Sequence, residues 1–442
     1  MAFVKSILLL CLLLAGFSAA AADEVLLQAK RQLEAGEAQA AYDLLNPLQS
    51  ERAGDPDFDF LLGGAALRLG RNTEAVFALE RVLAVRPDST PARTLIAQAY
   101  FHLKETETSR REFENVKKQD VPRDVALTID RFLDAITGIE DAKRVVLRGF
   151  IETGIGYDSN VNSATSDSQI AVPGLGGAIL TLADSSQEQS DTFVAFGGGV
   201  NLRAPLRPAL LLSGGFAFSR KANLDETDFS TYYYDADIGV SYKLNRDVFT
   251  VAARLNHFFV DSPAFPGSYR NAYSGTLQWQ HDFDARNQMS AFAQVSNLIY
   301  PGQGSRDANR YVGGLGYAHA MQRGGTVVYL GAYGGQENEK QSAFPQFGHD
   351  LRGIRLGGQT NMGEMFSVFV NGSLEKREYH GADPFFLVIR EDEQSNVSAG
   401  LNFVPRKKMR LTPQVNYTRN ASNISINEFD RWIFSIMFRQ DI

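Results

Sequence analysis

The sequence has very little cysteine, and this shortage excludes thiol-based sites. Its single cysteine, Cys11, lies in an apolar run that follows Lys5 and precedes the small residues 18–22. This order is typical of a secretory signal sequence, and the run is too short to span a membrane, so we predict a signal peptide over 1–22. Its removal leaves a mature chain without cysteine, in which neither a disulfide nor a thiolate metal site can form.

Histidine is also scarce, and the spacing of the few histidines fits no catalytic site. The six histidines are His102, His257, His281, His319, His349 and His380. None has the spacing of a nucleophile or metal site, and no glycine-rich loop lies between a strand and a helix to hold a phosphate. We therefore expect no enzymatic activity, no metal and no cofactor. The net charge of -7 and the pI of about 5.5 argue against nucleic acid as a partner.

Long apolar runs are missing from 145–442, which consists instead of strand-like segments of about ten to fourteen residues with alternating polarity. In 248–260, Phe249 and Val251 share one parity, whereas polar side chains such as Arg254 share the other. The segment 326–334 alternates less cleanly, with Val327, Tyr329 and Tyr333 as its apolar row. Because successive side chains of a strand point to opposite faces, each segment has one apolar and one more polar face.

The connections between these segments alternate between short and long. Short turns are predicted near 204–208, 244–247, 284–287, 322–325, 361–364 and 405–408. Long polar connections are predicted near 158–190, 220–228, 261–267, 301–308, 336–349, 378–388 and 419–427. Six short and seven long connections give about fourteen strands, and short periplasmic turns with long outer loops are typical of outer-membrane barrels. Soluble sandwiches show no such regularity.

The last segment, 431–442, supports the barrel. Trp432, Phe434, Ile436 and Phe438 form one apolar row. A bare strand of this kind at the edge of a soluble sheet would promote aggregation, whereas a closed barrel has no edge. The final residue, Ile442, departs from the aromatic residue with which such barrels commonly end.

Residues 23–137 form a different kind of domain, with helical periodicity and an internal repeat of 34 residues. Aspartate stands at position 59, where the tetratricopeptide consensus has tryptophan. The residues that carry the repeat are Ala41, Leu45, Gly70, Ala75, Leu79, Pro87, Tyr100 and Phe113. We predict three tetratricopeptide units that stack into a solenoid, followed by a last helix. This solenoid would be either a groove that binds a polypeptide or a scaffold for the barrel or its assembly machinery.

The predicted fold class is α+β with two domains. A signal peptide over 1–22 precedes a periplasmic tetratricopeptide domain over 23–137, a linker over 138–147 and a transmembrane antiparallel β-barrel over 148–442. Outer-membrane lipids are then obligatory partners.

The segment 149–165, GFIETGIGYDSNVNSAT, is the most informative short stretch. If the strand runs to position 162, Glu152, Asp158, Asn160 and Asn162 share a row that faces the lumen, with two glycine gaps between them. Tyr157 then faces lipid or the membrane interface. Alternating Asp and Asn oxygens allow a calcium site, but no bidentate glutamate or loop glycine completes it. The alternative is a strand that ends in a turn, where these residue types are common.

A signal sequence, tetratricopeptide units and a barrel that opens with Gly-Tyr-Asp-Ser-Asn-Val-Asn at 156–162 together resemble the surface lipoprotein assembly modulator (Slam) family. The resemblance implies a transporter that moves surface lipoproteins, or soluble haem-binding proteins, across the outer membrane. It also implies that the helical domain faces the periplasm and the client.

Two other functions are compatible with the sequence alone. The protein could be a diffusion porin or an exporter of a polymer such as polysaccharide, with the repeats recruiting partners, or it could be an assembly scaffold with a plugged barrel. The long connection over 158–190 is rich in small residues and is predicted to fold inward and gate the pore.

Overall fold

A computed structural model of the protein describes residues 23–119, 121–261, 269–321 and 325–442. The predicted signal peptide and most of the predicted connections near 261–267 and 322–325 lie outside the described residues. The chain divides into two compact units between Arg144 and Val145. Among the described residues, no helix combines the length and the apolar character that a membrane-spanning helix requires.

The first unit contains seven helices of eight residues or more within its described part. They are α1 Glu24–Ala35, α2 Ala38–Leu45, α3 Pro56–Arg68, α4 Asn72–Val85, α5 Thr90–His102, α6 Thr106–Lys117 and α7 Arg123–Asp141. Short turns at Asn46–Leu48 and Gln49–Arg52 follow α2. Asp23, Asp55 and Ser89 begin α1, α3 and α5 because their side chains accept hydrogen bonds from backbone amides of the first turn. The predicted repeat domain is confirmed, with α7 as the predicted last helix.

The 34-residue spacing places equivalent side chains in one core. Ala41, Leu45, Ala75, Leu79 and Phe113 lie on the second helix of successive pairs, and all five are fully buried. Each pair of helices therefore buries its apolar face against its neighbours, as a solenoid requires.

The turn within each pair shows the same repeat. Gly36 and Gly70 adopt positive φ angles of 85° and 76°, and Lys104 takes the third equivalent position with a φ of 65°. Glycine adopts this conformation without steric cost, whereas a side chain does not.

Two other repeat positions lie at the surface of this core. Pro87 follows α4, and its carbonyl accepts a hydrogen bond from Arg93 at 2.6 Å. The Tyr100 hydroxyl donates to Glu80 at 2.9 Å. Burial, with the neighbouring Glu80 carboxylate, raises the pKa of Tyr100 to about 12.

Asp59, at the position of the consensus tryptophan, is fully buried in α3. Its carboxylate accepts two hydrogen bonds from Arg81 on α4, at 3.0 and 2.5 Å, and one from the backbone amide of Gly54 at 2.8 Å. An ion pair between paired helices therefore occupies the place of the aromatic ring.

The second unit is a closed barrel of fourteen antiparallel strands, as predicted. Its strands are β1 Val146–Asp158, β4 Asp191–Arg207, β5 Leu210–Asn223, β6 Thr231–Leu244, β7 Asp247–Val260, β8 Tyr269–Asp282, β9 Asn287–Ile299, β10 Ala308–Ala320, β11 Thr326–Glu339, β12 His349–Met362, β13 Phe366–Ala382, β14 Ile389–Arg406, β15 Met409–Ser422 and β16 Phe429–Asp441. A hairpin of β2 Gln169–Val172 and β3 Ala178–Thr181 lies in the first long connection. Strands pair in chain order, and β1 pairs with β16 to close the barrel.

The boundary between the two units differs from the prediction by a few residues. Helix α7 continues to Asp141, and β1 already begins at Val146. The segment without helix or strand is therefore shorter than the linker predicted over 138–147.

Alternation along the strands separates an outer apolar face from an inner polar face. On β1 and β16 the outward side chains Ile151, Ile155, Phe434 and Ile436 are each 48–60% exposed, whereas Ser435 on the inner face is buried.

The row predicted as apolar in 326–334 faces the interior of the barrel. The Tyr329 hydroxyl donates to Asn371 at 2.8 Å, and the Tyr333 hydroxyl donates to Glu375 at 2.7 Å. The outward row of β11 contains Val328 and Leu330. Because tyrosine has both an apolar ring and a polar hydroxyl, alternation alone assigned these rows wrongly.

Candidate functional site

The candidate site lies where β1 ends and the first long connection begins. Strand β1 ends at Asp158, so Asn160 and Asn162 are not in the extended row that a longer strand would give. Residue 163 already has a positive φ of 52°. This is the turn alternative of the sequence analysis.

Asp158 is the centre of this site. It has no solvent exposure, and its carboxylate binds two cationic side chains from strands that are distant in the sequence. Arg431 of β16 donates in a fork, with Nε 2.9 Å from Oδ1 and Nη2 2.6 Å from Oδ2, and Lys221 of β5 donates to Oδ2. Forked, charge-assisted hydrogen bonds are among the strong ones in proteins, and they compensate for part of the cost of burying the charge.

Asn160 holds the beginning of the long connection against β16. Its side-chain amide donates to the carbonyls of Ala164 and Asp430 at 2.8 and 3.0 Å, and its oxygen accepts from the amide of Ala164 at 3.0 Å. Arg431 adds a hydrogen bond from Nη1 to the hydroxyl of Ser163 at 2.9 Å. The turn is therefore tied to the last strand of the barrel.

Asn162 joins the beginning of the same connection to its end. Its amide donates to the carbonyls of Ser185 and Gln187 at 3.2 and 2.6 Å, and its oxygen accepts from the amide of Gln189 at 3.3 Å. Burial and the nearby Asp430 carboxylate raise the pKa of Glu188 in this segment. The long connection is thus fixed as a closed loop.

The hairpin of this loop reaches another connection of the barrel. The backbone amide of Gly174 donates to the carbonyl of Phe385, between β13 and β14, at 2.7 Å. Strands β15 and β16 lie between β1 and β14 in the barrel, so the loop extends over part of the rim at this end of the barrel. A cavity of about 540 Å³ lies beneath it, lined by Asn162, Lys221 and Arg431 among others.

The other two predicted site residues lie elsewhere. Glu152 is on the inner face, in register with Gly197 and Arg439, six residues before Asp158 along β1. Tyr157 is 43% exposed on the outer face. The predicted residues therefore separate into the cluster of Asp158, Asn160 and Asn162, a distant Glu152, and Tyr157 on the outer face.

The two glycines of this row do not leave gaps. A Cβ atom on Gly154 would lie 2.3 Å from the sulfur of Met437, and one on Gly156 would lie 2.4 Å from the ring of Phe193. Neighbouring side chains fill both spaces, so a side chain at either position would displace them.

Comparison with protein families identifies the barrel. A family model described as surface lipoprotein assembly modifier matches residues 151–440, more than half of the chain, and a tetratricopeptide repeat model matches residues 32–99. The chain belongs to the surface lipoprotein assembly modifier family. The protein is located in the outer membrane, where the family acts in surface lipoprotein assembly. Neither the family nor the fold is that of an enzyme. No curated protein sequence matches the chain significantly.

Each part of the chain is similar to solved structures at low sequence identity. An anion-selective porin from Comamonas acidovorans is 10% identical over 67% of this chain and 99% of its own, with a TM-score of 0.39. The outer membrane channel DcaP of Acinetobacter baumannii is 9% identical over 67% of this chain and 97% of its own, with a TM-score of 0.41. The translocator chaperone SycD of Yersinia enterocolitica is 15% identical over 27% of this chain and 92% of its own, with a TM-score of 0.25.

Lys221, Ser163 and Arg431 were not predicted from the sequence as residues of this site. The only signal for Arg431 is its parity, because it alternates with Trp432 and Phe434 and therefore faces inward. No local pattern indicates that Lys221 meets a residue 63 positions earlier.

Proposed function

We propose that this protein carries client proteins across the outer membrane, with the helical repeats in the periplasm engaging the client or a partner. The clients are surface lipoproteins or secreted proteins, including haem-binding proteins, and the barrel-assembly machinery is a further partner. The main support is the family match over 151–440, which coincides with the closed barrel. A lumen of fourteen strands falls between filled eight-stranded barrels and open barrels of about 16 strands, so it suits an extended chain rather than a folded domain.

In this proposal, the loop held by Asp158, Asn160 and Asn162 controls the outer exit. Its hydrogen bonds keep it over the rim, and an emerging client displaces it. The loop can move without opening the barrel, because its asparagine contacts lie outside the strand pairing. In the same proposal, Glu152 contacts the passing chain from the inner face of β1, and Tyr157 contacts lipid or the membrane interface.

The test is surface display in a heterologous Gram-negative host, with and without this protein, for secreted proteins encoded beside it. Protease treatment of intact cells reports whether a client is exposed. The Asn160→Ala/Asn162→Ala double variant is expected to alter export, whereas the inward-facing Asn416→Ala on β15 is a matched control. Clients that stay inside in every strain, together with liposomes that become permeable to small solutes or polysaccharide, would replace this proposal with a porin or a polymer exporter.

A further inference from the structure

A second cavity, separate from the loop cluster, lies inside the end of the barrel that carries the long connections. Its volume is about 300 Å³. Its lining contains five arginines but only two carboxylates, Glu337 and Asp383. The five arginines are Arg270, Arg306, Arg310, Arg377 and Arg390.

Two of these arginines are neutralised by neighbouring carboxylates. Arg377 pairs with Glu375 at 2.5 Å, and Arg390 pairs with Asp392 at 2.6 Å. These two pairs add no net charge to the cavity. Asp383 accepts hydrogen bonds from two backbone amides of its own connection and keeps its negative charge.

The remaining three arginines, Arg270, Arg306 and Arg310, share a single carboxylate. Glu337 lies 3.8 Å from Arg310, longer than the roughly 2.7–2.9 Å of a charge-assisted hydrogen bond. Among the described residues, no carboxylate lies within ion-pair distance of Arg270 or Arg306. The three arginines belong to β8, to the β9–β10 connection and to β10. The five arginines of the lining outnumber the carboxylates Glu337, Asp383, Glu375 and Asp392 by one.

Two buried polar atoms at the cavity have no partner. Nε of Arg270 and Nδ1 of His349 make no hydrogen bond, and His349 is only 7% exposed. A buried polar group without a partner is energetically unfavourable, so such groups commonly mark a place that a ligand or ion completes.

Aromatic rings orient the cationic groups at the two sides of the cavity. The guanidinium of Arg306 lies 4.9 Å from the ring centre of Tyr300, and that of Arg390 lies 4.8 Å from that of Tyr379. Stacking of this kind fixes the plane of the guanidinium. Arg390 donates to Asp392, whereas Arg306 donates one hydrogen bond, from Nη1 to Gln303 at 3.1 Å, and has further N–H groups for a ligand.

We propose that this cavity binds a phosphate group, with Arg270, Arg306 and Arg310 as its main ligands. Planar arginine forks match phosphate oxygens, and a phosphate would supply acceptors for the unpartnered nitrogen of Arg270. The cavity is larger than one phosphate, so the group is carried on a small organic body. It comes either from a soluble phosphate ester or from the phosphorylated headgroup of an outer-leaflet lipid.

The experiment titrates inorganic phosphate into the purified full-length protein in detergent and follows binding by calorimetry. Arg270→Gln and Arg310→Gln are each expected to weaken binding about tenfold or more, the scale of one charge-assisted hydrogen bond. Arg306→Gln, on an exposed connection, provides a variant whose barrel is not at risk. Arg254→Gln is the matched control, since Arg254 faces the interior but pairs with Asp235 at 2.8 Å.

A second arm adds lipid A in nanodiscs of zwitterionic lipid. If lipid A competes with inorganic phosphate for binding, the source is a lipid headgroup. If phosphate binds and lipid A does not compete, the source is a soluble phosphate ester. The proposal is overturned if neither probe binds, or if Arg254→Gln weakens binding as much as the cavity variants do.

Discussion

The helical unit and the barrel carry their apolar side chains on opposite faces. The helical unit buries them in its interior, whereas the barrel exposes them on its outer surface. In the helical unit the large apolar side chains, such as Phe58 and Phe113, are fully buried, and most charged side chains lie at the surface, with Asp59 as a buried exception. In the barrel, Leu277 and Ile155 are 59% and 60% exposed on the outer face, whereas carboxylates such as Asp158 are buried within. The comparison shows that the surrounding medium, water or lipid, decides which face of a strand or helix is apolar.

The largest loss of stability is expected from a substitution in the buried apolar core of the helical unit. Phe113 is fully buried and stacks on Phe132 with ring centres 5.0 Å apart. Phe113→Ala is expected to destabilise the helical unit by about 4 kcal/mol, because it removes packing and leaves a cavity. Denaturant unfolding of the full-length protein, followed by circular dichroism of the helices, measures the change. Phe77→Ala is the control, since Phe77 is 58% exposed, and its effect should stay within about 0.5 kcal/mol.

Buried carboxylates provide the next test, because each unit contains one in the same situation. Asp59→Asn leaves Arg81 without its counterion, and Asp158→Asn does the same to Lys221 and Arg431. Each change is expected to cost about 3 kcal/mol, at the lower end of the range for a broken buried pair, because the cations are partly exposed. Unfolding of the helices reports the first, and heat-dependent mobility of the barrel on gels reports the second. A loss confined to one unit would show that the two ion pairs are not equivalent.

A third test moves one arginine between the two faces of a single strand. Leu277 faces outward on β8, and its neighbour Gln278 faces inward. Leu277→Arg is expected to cost about 2–4 kcal/mol if it lies near the middle of the bilayer, whereas Gln278→Arg should cost less. Refolding into lipid vesicles at graded urea concentrations compares them. Equal costs would contradict the assignment of the faces.

A smaller effect is expected at the turns of the helical repeat. Gly70→Ala should destabilise the helical unit by about 1 kcal/mol, and Lys104→Gly should stabilise it by a similar amount, because a side chain with positive φ costs roughly 1–2 kcal/mol. The same denaturant measurement is used for both. Opposite signs would confirm that the two residues occupy equivalent positions.

The mildest test concerns the pH dependence of the helical unit. The pKa of Tyr100 is raised from 10.0 to about 12, so the folded state holds the phenol proton more tightly than the unfolded state does. Its contribution to stability is therefore complete below pH 10 and is lost as pH rises from 10 towards 12. Tyr100→Phe should lessen this decline without changing unfolding at neutral pH by more than the loss of one exposed hydrogen bond. The free energy of unfolding is measured across this pH range for the wild type and for Tyr100→Phe. Identical slopes against pH would disprove the assignment of the decline to Tyr100.

The architecture was accessible from the sequence because it depends on regularities. Strands that cross one thickness of membrane have similar lengths, and the alternation of short and long connections gives the number of strands. Helix pairs that stack repeat their core positions, so Leu45, Leu79 and Phe113 recur at a fixed spacing.

The site was only partly accessible because its contacts are not regular. Alternation correctly placed Asp158 inward but not the end of its strand, because the Asn160 side chain binds backbone groups that a longer strand would pair. The cations that bind Asp158 lie 63 and 273 residues away along the chain. Pairing of β4 with β1 and β5 brings Lys221 to it, and closure of the barrel by β1 and β16 brings Arg431.

The ion pair between Asp158 and Arg431 also has a consequence for the order of events during biogenesis. It joins the first strand of the barrel to the last, so it forms only after synthesis has reached the carboxyl end of the chain. Until then the aspartate lacks its forked partner, and the loop that follows it lacks the carbonyl of Asp430 as an anchor. The outer loop thus acquires its final position as one of the last steps of maturation.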